Sequence, residues 1–199
     1  MTPDDGALAQ LPDGPSHWLQ SYPAHLSQTW TLPSGQSLVV RPIRHDDGER
    51  ELAFVSGLSF RSRYQRLLSG GVKATPEWID FMTRIDYRRH MAFAATTTVD
   101  GAEQFVGVGR YVVDSPGPGA DVALVLADAW QGQGLGRRLL ATLLEHAASV
   151  GIREAVGIVL ADNAAMLGLA RSMGFSVRSD PRDGTVKHIS RPLAAPRAP

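Results

Sequence analysis

A single α/β or α+β domain is predicted by three observations: paired β-type runs broken at Gly- and Pro-containing turns, one long stretch with helical periodicity, and a return to short β-type runs after it. The first pair is Thr29-Trp30-Thr31-Leu32 and Ser37-Leu38-Val39-Val40, flanking Pro33-Ser34-Gly35, and Pro42 ends its ladder. Asp46 or Asp47 is placed to cap a helix that runs to about Ser56. Thr75-Pro76-Glu77 reads as a cap with Pro at the first helical position and an acidic first turn, so a helix over Pro76 to Arg84 follows. Met91 to Val99 and Phe105 to Val113, joined by Asp100-Gly101, read as an antiparallel hairpin, with a third strand from Asp121 to Ala127 after the loop Ser115 to Gly119.

Beyond that strand the period changes. Leu135, Leu139, Leu143 and Ala147, with Leu140, Leu144 and Ala148 beside them, form a wide apolar stripe that Gly151 ends. Ala155 to Leu160 is a further strand, and Asp162 or Asn163 opens a helix ended by Gly174. Phe175 to Val177 and Val186 to Ile189 can pair across Asp183-Gly184.

Composition narrows the function. Net charge is +0 with no long basic run, which argues against a nucleic-acid partner. The cysteine count is 0, so neither a disulfide framework nor a thiol nucleophile is available. The six histidines show no H-x-x-x-H spacing, and no metal is expected. Asp4 and Asp5 give the N-terminus the wrong charge for a signal peptide, and no apolar run approaches spanning length, so no membrane partner and a cytoplasmic location are expected. Residues 1–25, rich in Pro, Gly, Asp and Ser, read as a disordered leader, and 192–199 as a flexible tail. Trp18, Tyr22 and Trp30 are the residues able to dock the leader on the body.

The chemistry centres on Gln131-Gly132-Gln133-Gly134-Leu135-Gly136-Arg137, between a strand and the long helix. Its glycines let backbone approach a ligand, and the helix's first-turn amides with its dipole form an anion site suited to a pyrophosphate. A Walker A loop needs Gly-Lys-Ser/Thr, which is absent, and the dinucleotide fingerprint needs a glycine where Arg137 stands. A Gly-rich turn without a ligand is the alternative at this point.

The loop matches Gln/Arg-x-x-Gly-x-Gly/Ala at Gln131, Gly134 and Gly136, and so resembles the acyl-CoA signature of the GNAT superfamily of N-acetyltransferases. Asn163-Ala164-Ala165-Met166 followed by Met173-Gly174-Phe175 is similar to the superfamily's second cofactor motif. Val40-Arg41-Pro42-Ile43-Arg44, Leu58-Ser59 with Ser62-Arg63-Tyr64, and Asp86-Tyr87 with His90-Met91-Ala92 resemble the acetyltransferase domain of bacterial Pat-type protein lysine acetyltransferases. The resemblance implies a GNAT fold over 26–191, with a central mixed, mostly antiparallel sheet flanked by helices. It implies acetyl-CoA as cosubstrate, held by Leu124, Val125 and Leu126, by Gln131, Gly132, Gln133, Gly134, Leu135, Gly136 and Arg137, and by Asn163, which doubles as a helix cap. Relatives of this type carry a Glu as general base ten residues before the loop's Gln; here that place is Asp121, which a turn after Pro118-Gly119 would also favour.

By the same resemblance the reaction is direct attack of an amine on the thioester in a ternary complex, with a protein lysine as acceptor and a backbone N–H near Val125 as oxyanion donor. A small amine or amino acid as acceptor, and a silent acyl-CoA-binding module, are the rival readings. Ala170 stands where many members carry the Tyr that protonates the thiolate, so no general acid is identified. His90 reads as a core or capping histidine, Tyr87 as either lining the acceptor site or packing, and Arg61, Arg63 and Arg66 as a solvated helical face.

Overall fold

A computed structural model describes residues 22–67, 75–113 and 119–194. Strands β1 (Gln28–Thr31), β2 (Ser37–Pro42), β3 (His90–Val99), β4 (Ala102–Val112), β5 (Gly119–Leu126), β6 (Glu154–Leu160), β7 (Ser176–Ser179) and β8 (Val186–Pro192) form one sheet in the order β1-β2-β3-β4-β5-β6-β8-β7. All neighbours pair antiparallel except β5 and β6. Helices α1 (Gly48–Gly57), α2 (Phe60–Leu67) and α3 (Pro76–Thr83) precede β3, α4 (Leu135–Ser149) links β5 to β6, and α5 (Ala164–Ser172) follows β6. This is the mixed, mostly antiparallel sheet flanked by helices that the sequence predicts.

Local chemistry explains the turns. Asp100 and Gly101 take φ of 51° and 78°, the paired left-handed values of a two-residue hairpin whose twist suits the flanking strands. Thr75 caps α3 by accepting from the Trp78 N–H at 3.2 Å, as expected from its sequence.

Two apolar cores lie on opposite faces of the sheet. Leu135, Leu139, Leu140 and Leu143 of α4 are fully buried against Met91, Phe93 and Val122; each such leucine contributes roughly 1.5–3 kcal/mol by leaving water. On the other face Phe54, Val55, Leu58 and Ile85 pack on Ala92, Ala94, Val108 and Val125. No helix among the described residues is long and apolar enough to cross a membrane.

Asp47 corrects the capping expectation. It holds the N-cap position of α1, yet its carboxylate makes no capping bond. It is buried against Arg41, with Nη1–Oδ2 at 2.7 Å and Nη2–Oδ1 at 2.8 Å, and accepts from the Arg44 N–H. Arg41 also donates to Glu103 of β4 from Nε and Nη2. A buried carboxylate needs a counter-charge more than a capping role, and the guanidinium fork supplies it in two parallel bonds. The resulting strap joins β2, α1 and β4.

Of the leader expected over residues 1–25, residues 1–21, with Trp18, lie outside the described residues. Tyr22 packs on the body, its hydroxyl donating to the Pro42 carbonyl at 3.2 Å, and Trp30 is buried in the core. Of the tail expected over 192–199, residues 195–199 lie outside the described residues, and Leu193 is buried.

Candidate active site

The β5–β6 ladder spans only Gly119 to Asp121 against Glu154 to Val156. Past that point β5 continues to pair with β4, and β6 with β8. The two strands therefore bound a wedge through the sheet. Gly157 sits where they separate: a Cβ there would lie 3.1 Å from the Val122 carbonyl oxygen, so a side chain would crowd the vertex.

A cavity of about 410 Å³ fills the wedge and reaches the start of α4, within the usual size of a small-molecule site. Nine of the predicted cofactor residues wall it: Leu124, Val125, Leu126, Gln131, Gly132, Gly134, Gly136, Arg137 and Asn163. Gln133 and Leu135 do not. Leu135 is fully buried beneath α4, and the Gln133 amide donates to the Ala129 carbonyl at 2.9 Å. Leu135 turns from the first helical turn into the core, and Gln133 precedes the helix with its amide drawn back to Ala129.

The glycines divide by task. Gly132 and Gly134 take φ of 74° and 81°, and a Cβ on either would meet nothing within 4 Å, so both leave open space at the mouth of the helix. Gly136 instead lets α4 approach β5: a Cβ there would touch Leu124 and Leu126 at 3.4 Å. The first-turn N–H groups of α4 have no intrahelical acceptor and carry the positive end of its dipole. Beside them run Leu124, Leu126, Met166, Leu169 and the exposed Ile158. An anion site next to an apolar slot fits a pyrophosphate with an extended arm, as in acetyl-CoA. Asn163 caps α5 through Oδ1, which accepts from the Met166 N–H at 3.0 Å; its NH₂ is the donor left for a ligand.

Two walls lie outside the residues predicted for the cofactor. Ser62 and Gln65 of α2 close the cavity on one side, and Ile158 and Val159 of β6 on another. Asp128 ties α2 in place, accepting from the Ser59 N–H, the Ser59 hydroxyl and the Ser62 hydroxyl, and these bonds hold its pKa down, the Ser62 hydroxyl most. Gln131 bridges the same elements, donating to Ser62 Oγ at 3.3 Å and to the Leu126 carbonyl at 3.2 Å. The segment holding Ser59 and Ser62 was noted in the sequence, but its partner Asp128 was not.

Strand parity narrows the expectation of a backbone N–H near Val125. The Ala127 N–H donates to the Val106 carbonyl of β4. By the two-residue repeat the Val125 N–H also faces β4, and the N–H groups of Leu124 and Leu126 face the wedge.

Asp121 is the last residue of β5 paired with β6, partnered by Val112 and Val156, so it stands inside a strand and not in a turn. It does not wall the cavity. Ala120 and Val122 belong to the core under α4 and Val125 to the core under α1, so alternation turns the exposed Asp121 and the half-buried Ala123 toward the α1–α3 face.

That face carries a buried polar row. Arg110, the β4 partner of Ala123, brings Nη1 to 2.6 Å from His90 Nε2 and Nη2 to 3.6 Å from Glu51 Oε1. Burial, reinforced by the Arg110 charge, pushes the His90 pKa down to about 3, so the neutral ring accepts at Nε2 and bears its proton on Nδ1. His90 is thus a core histidine, as the sequence suggests. Because its folded pKa lies below the ordinary 6.5, the native state binds fewer protons than the unfolded chain between these values. Stability falls as pH drops from about 6.5 toward 3. His90→Gln should flatten that part of a plot of Tm against pH.

Tyr87 packs, with φ of 59° and its hydroxyl donating to the Ile43 carbonyl at 3.1 Å. Arg61 is exposed, Arg63 is half-buried, and the Arg66 side chain lies outside the described residues. Ala170 is fully buried. Among the described residues no group of three or more His, Cys, Asp and Glu is placed to hold a metal.

The model of the acetyltransferase (GNAT) family matches residues 60–175. An acetyltransferase of Pseudomonas aeruginosa is 34% identical over 169 residues, which span 85% of this chain and 86% of that protein. Acetyltransferase Pat of Mycolicibacterium smegmatis is 28% identical over 142 residues, 71% of this chain and 42% of the longer Pat. The crystal structure of the GNAT domain of S. lividans PAT agrees with a TM-score of 0.77 at 28% identity, covering 87% of this chain and 100% of that one.

Proposed function

The chain belongs to the GNAT family of acetyltransferases, and from that premise we propose that it acetylates protein lysine side chains, with acetyl-CoA in the β5–β6 wedge and Asp121 taking up the amine proton. Its reaction is acetyl transfer from acetyl-CoA. The observation that carries the assignment of roles is the vertex of the wedge. There an exposed carboxylate ends the β5–β6 ladder, and the anion site at the start of α4 stands at the other end of the cavity.

The first-turn amides of α4 hold the pyrophosphate, and the apolar slot directs the thioester toward the vertex. A lysine amine, with reference pKa about 10.4, must lose a proton before it attacks, which costs roughly 4–5 kcal/mol at pH 7. Asp121 is too weak a base to meet that by basicity. Its exposure gives the proton a path to solvent, and position supplies the remainder. The neutral nitrogen forms a bond to the thioester carbon, and the developing oxyanion meets the Leu124 and Leu126 N–H groups that face the wedge. Collapse breaks the C–S bond and releases the CoA thiolate, which is stable enough near neutral pH to leave without a dedicated acid, while the attacking nitrogen gives its second proton to solvent.

The deciding experiment incubates the protein with acetyl-CoA and a panel of lysine-containing proteins, amino acids and small amines, measures free CoA, and maps modified residues by mass spectrometry. CoA release with small amines alone would overturn the lysine assignment. Asn163 tests the cofactor placement separately. Asn163→Asp keeps the cap acceptor but replaces the NH₂ donor with negative charge near the cofactor, so the acetyl-CoA KM should rise about tenfold at unchanged Tm. An unchanged KM would leave capping as its role.

A further inference from the structure

Phe81 is a large apolar side chain on a short helix, half exposed at 50%, while its neighbours Met82 and Thr83 are buried. Its ring lies on His90, with centroids 4.9 Å apart and planes tilted by 34°. His90 is itself held by Arg110 of the adjacent strand, whose Nη1 lies 2.6 Å from its Nε2. The aromatic is therefore exposed on one side and seated on a buried, immobile support on the other.

Strand register locates it relative to the site. His90 of β3 is the cross-strand partner of Val112 of β4, and Val112 is the partner of Asp121 of β5. Directly opposed residues share a face, so His90, Val112 and Asp121 form one transverse row, about 10 Å from end to end at two strand spacings. Phe81 covers the His90 end of that row and Asp121 occupies the other. A chain that reaches Asp121 from the α3 end of this row passes over the ring of Phe81.

We propose that Phe81 is the wall for the aliphatic stem of the acceptor, so that the site selects primary amines carried on a long unbranched chain, as in a lysine side chain. This rests on the reading of Asp121 and the lysine acceptor given above. An exposed ring at one end of a row that a carboxylate ends suits such a group: the methylenes lie on the apolar surface while the nitrogen continues to the polar end. The ring's negative face also favours the ammonium form on approach. An amine on a one-carbon stem spans too little of the row to use the ring and reach the vertex together.

The test uses two capped tripeptides, acetyl-Gly-Lys-Gly-amide and the same peptide with 2,3-diaminopropionate in place of lysine, with the parent protein and Phe81→Ala. Comparing the ratio of kcat/KM for the two peptides between proteins cancels their different amine basicities. Phe81→Ala should lower kcat/KM about tenfold for the lysine peptide and leave the short-stem peptide and the acetyl-CoA KM unchanged. Phe81→Tyr should retain the preference. Equal losses on both peptides, or none on either, would overturn the role of Phe81 while leaving the lysine acceptor standing. If the parent turns over neither peptide while it consumes acetyl-CoA with another amine, the lysine reading falls and this inference falls with it.

Discussion

Asp121→Asn is expected to lower kcat by roughly two to four orders of magnitude, the range for removal of a general base, with the acetyl-CoA KM unchanged. The separation of effects follows from placement. Asp121 lies off the wall of the cavity proposed for acetyl-CoA, and its side chain is exposed on the opposite face from α4. Asn is isosteric, and the position is strand backbone paired on both sides, so Tm should move little. Asp121→Glu is the sharper variant. A turn role would make Glu destabilising, but the residue stands third in β5, where the longer side chain has solvent to extend into. Activity retained or increased in the Glu protein, and lost in the Asn protein across the pH range, identifies the carboxylate as the working group. A folded Asn protein as fast as the parent removes Asp121 from the mechanism.

The parts of the site visible in the sequence are those with a local cause. Gln131 to Arg137 could be placed because glycines at a strand-to-helix junction make a distinctive backbone signal, and Asn163 because a helix cap is set by residues within one turn. The hairpin at Asp100-Gly101 was legible for the same reason. What stayed hidden depends on distant partners. The wedge exists because pairing between β5 and β6 stops after Asp121, a property of register between segments separated by α4. Ser62 and Gln65 enter the wall only because Asp128, 66 residues beyond Ser62, fixes α2. The cap expected of Asp46 or Asp47 gave way, at Asp47, to an ionic cluster whose third member, Glu103, is 62 residues from Arg41. The direction of the Val125 N–H is a matter of odd or even register, which composition does not encode.

Gly134→Val is expected to raise the acetyl-CoA Kd at least a hundredfold, about 2.7 kcal/mol, the larger part of the affinity that an anion site at a helix start can supply. The argument must separate site from strain. Gly134 is the N-cap of α4 at φ 81°, a left-handed value that costs a residue with Cβ about 1–2 kcal/mol, so some loss of stability is certain whatever the ligand does. Gly151, just past the other end of the same helix, has φ of 95°, and a Cβ there likewise meets nothing within 4 Å. It does not wall the cavity. Gly151→Val therefore carries the same kind of backbone cost without adding atoms to the site. Both variants should show a lowered Tm in the absence of ligand. Only Gly134→Val should lose binding in calorimetry, because its new methyl groups project into the open space before the first-turn amides, where the pyrophosphate must approach to about 3 Å. Parallel losses of affinity in the two proteins would assign the effect to strain in α4, and undiminished affinity in folded Gly134→Val would place the cofactor elsewhere.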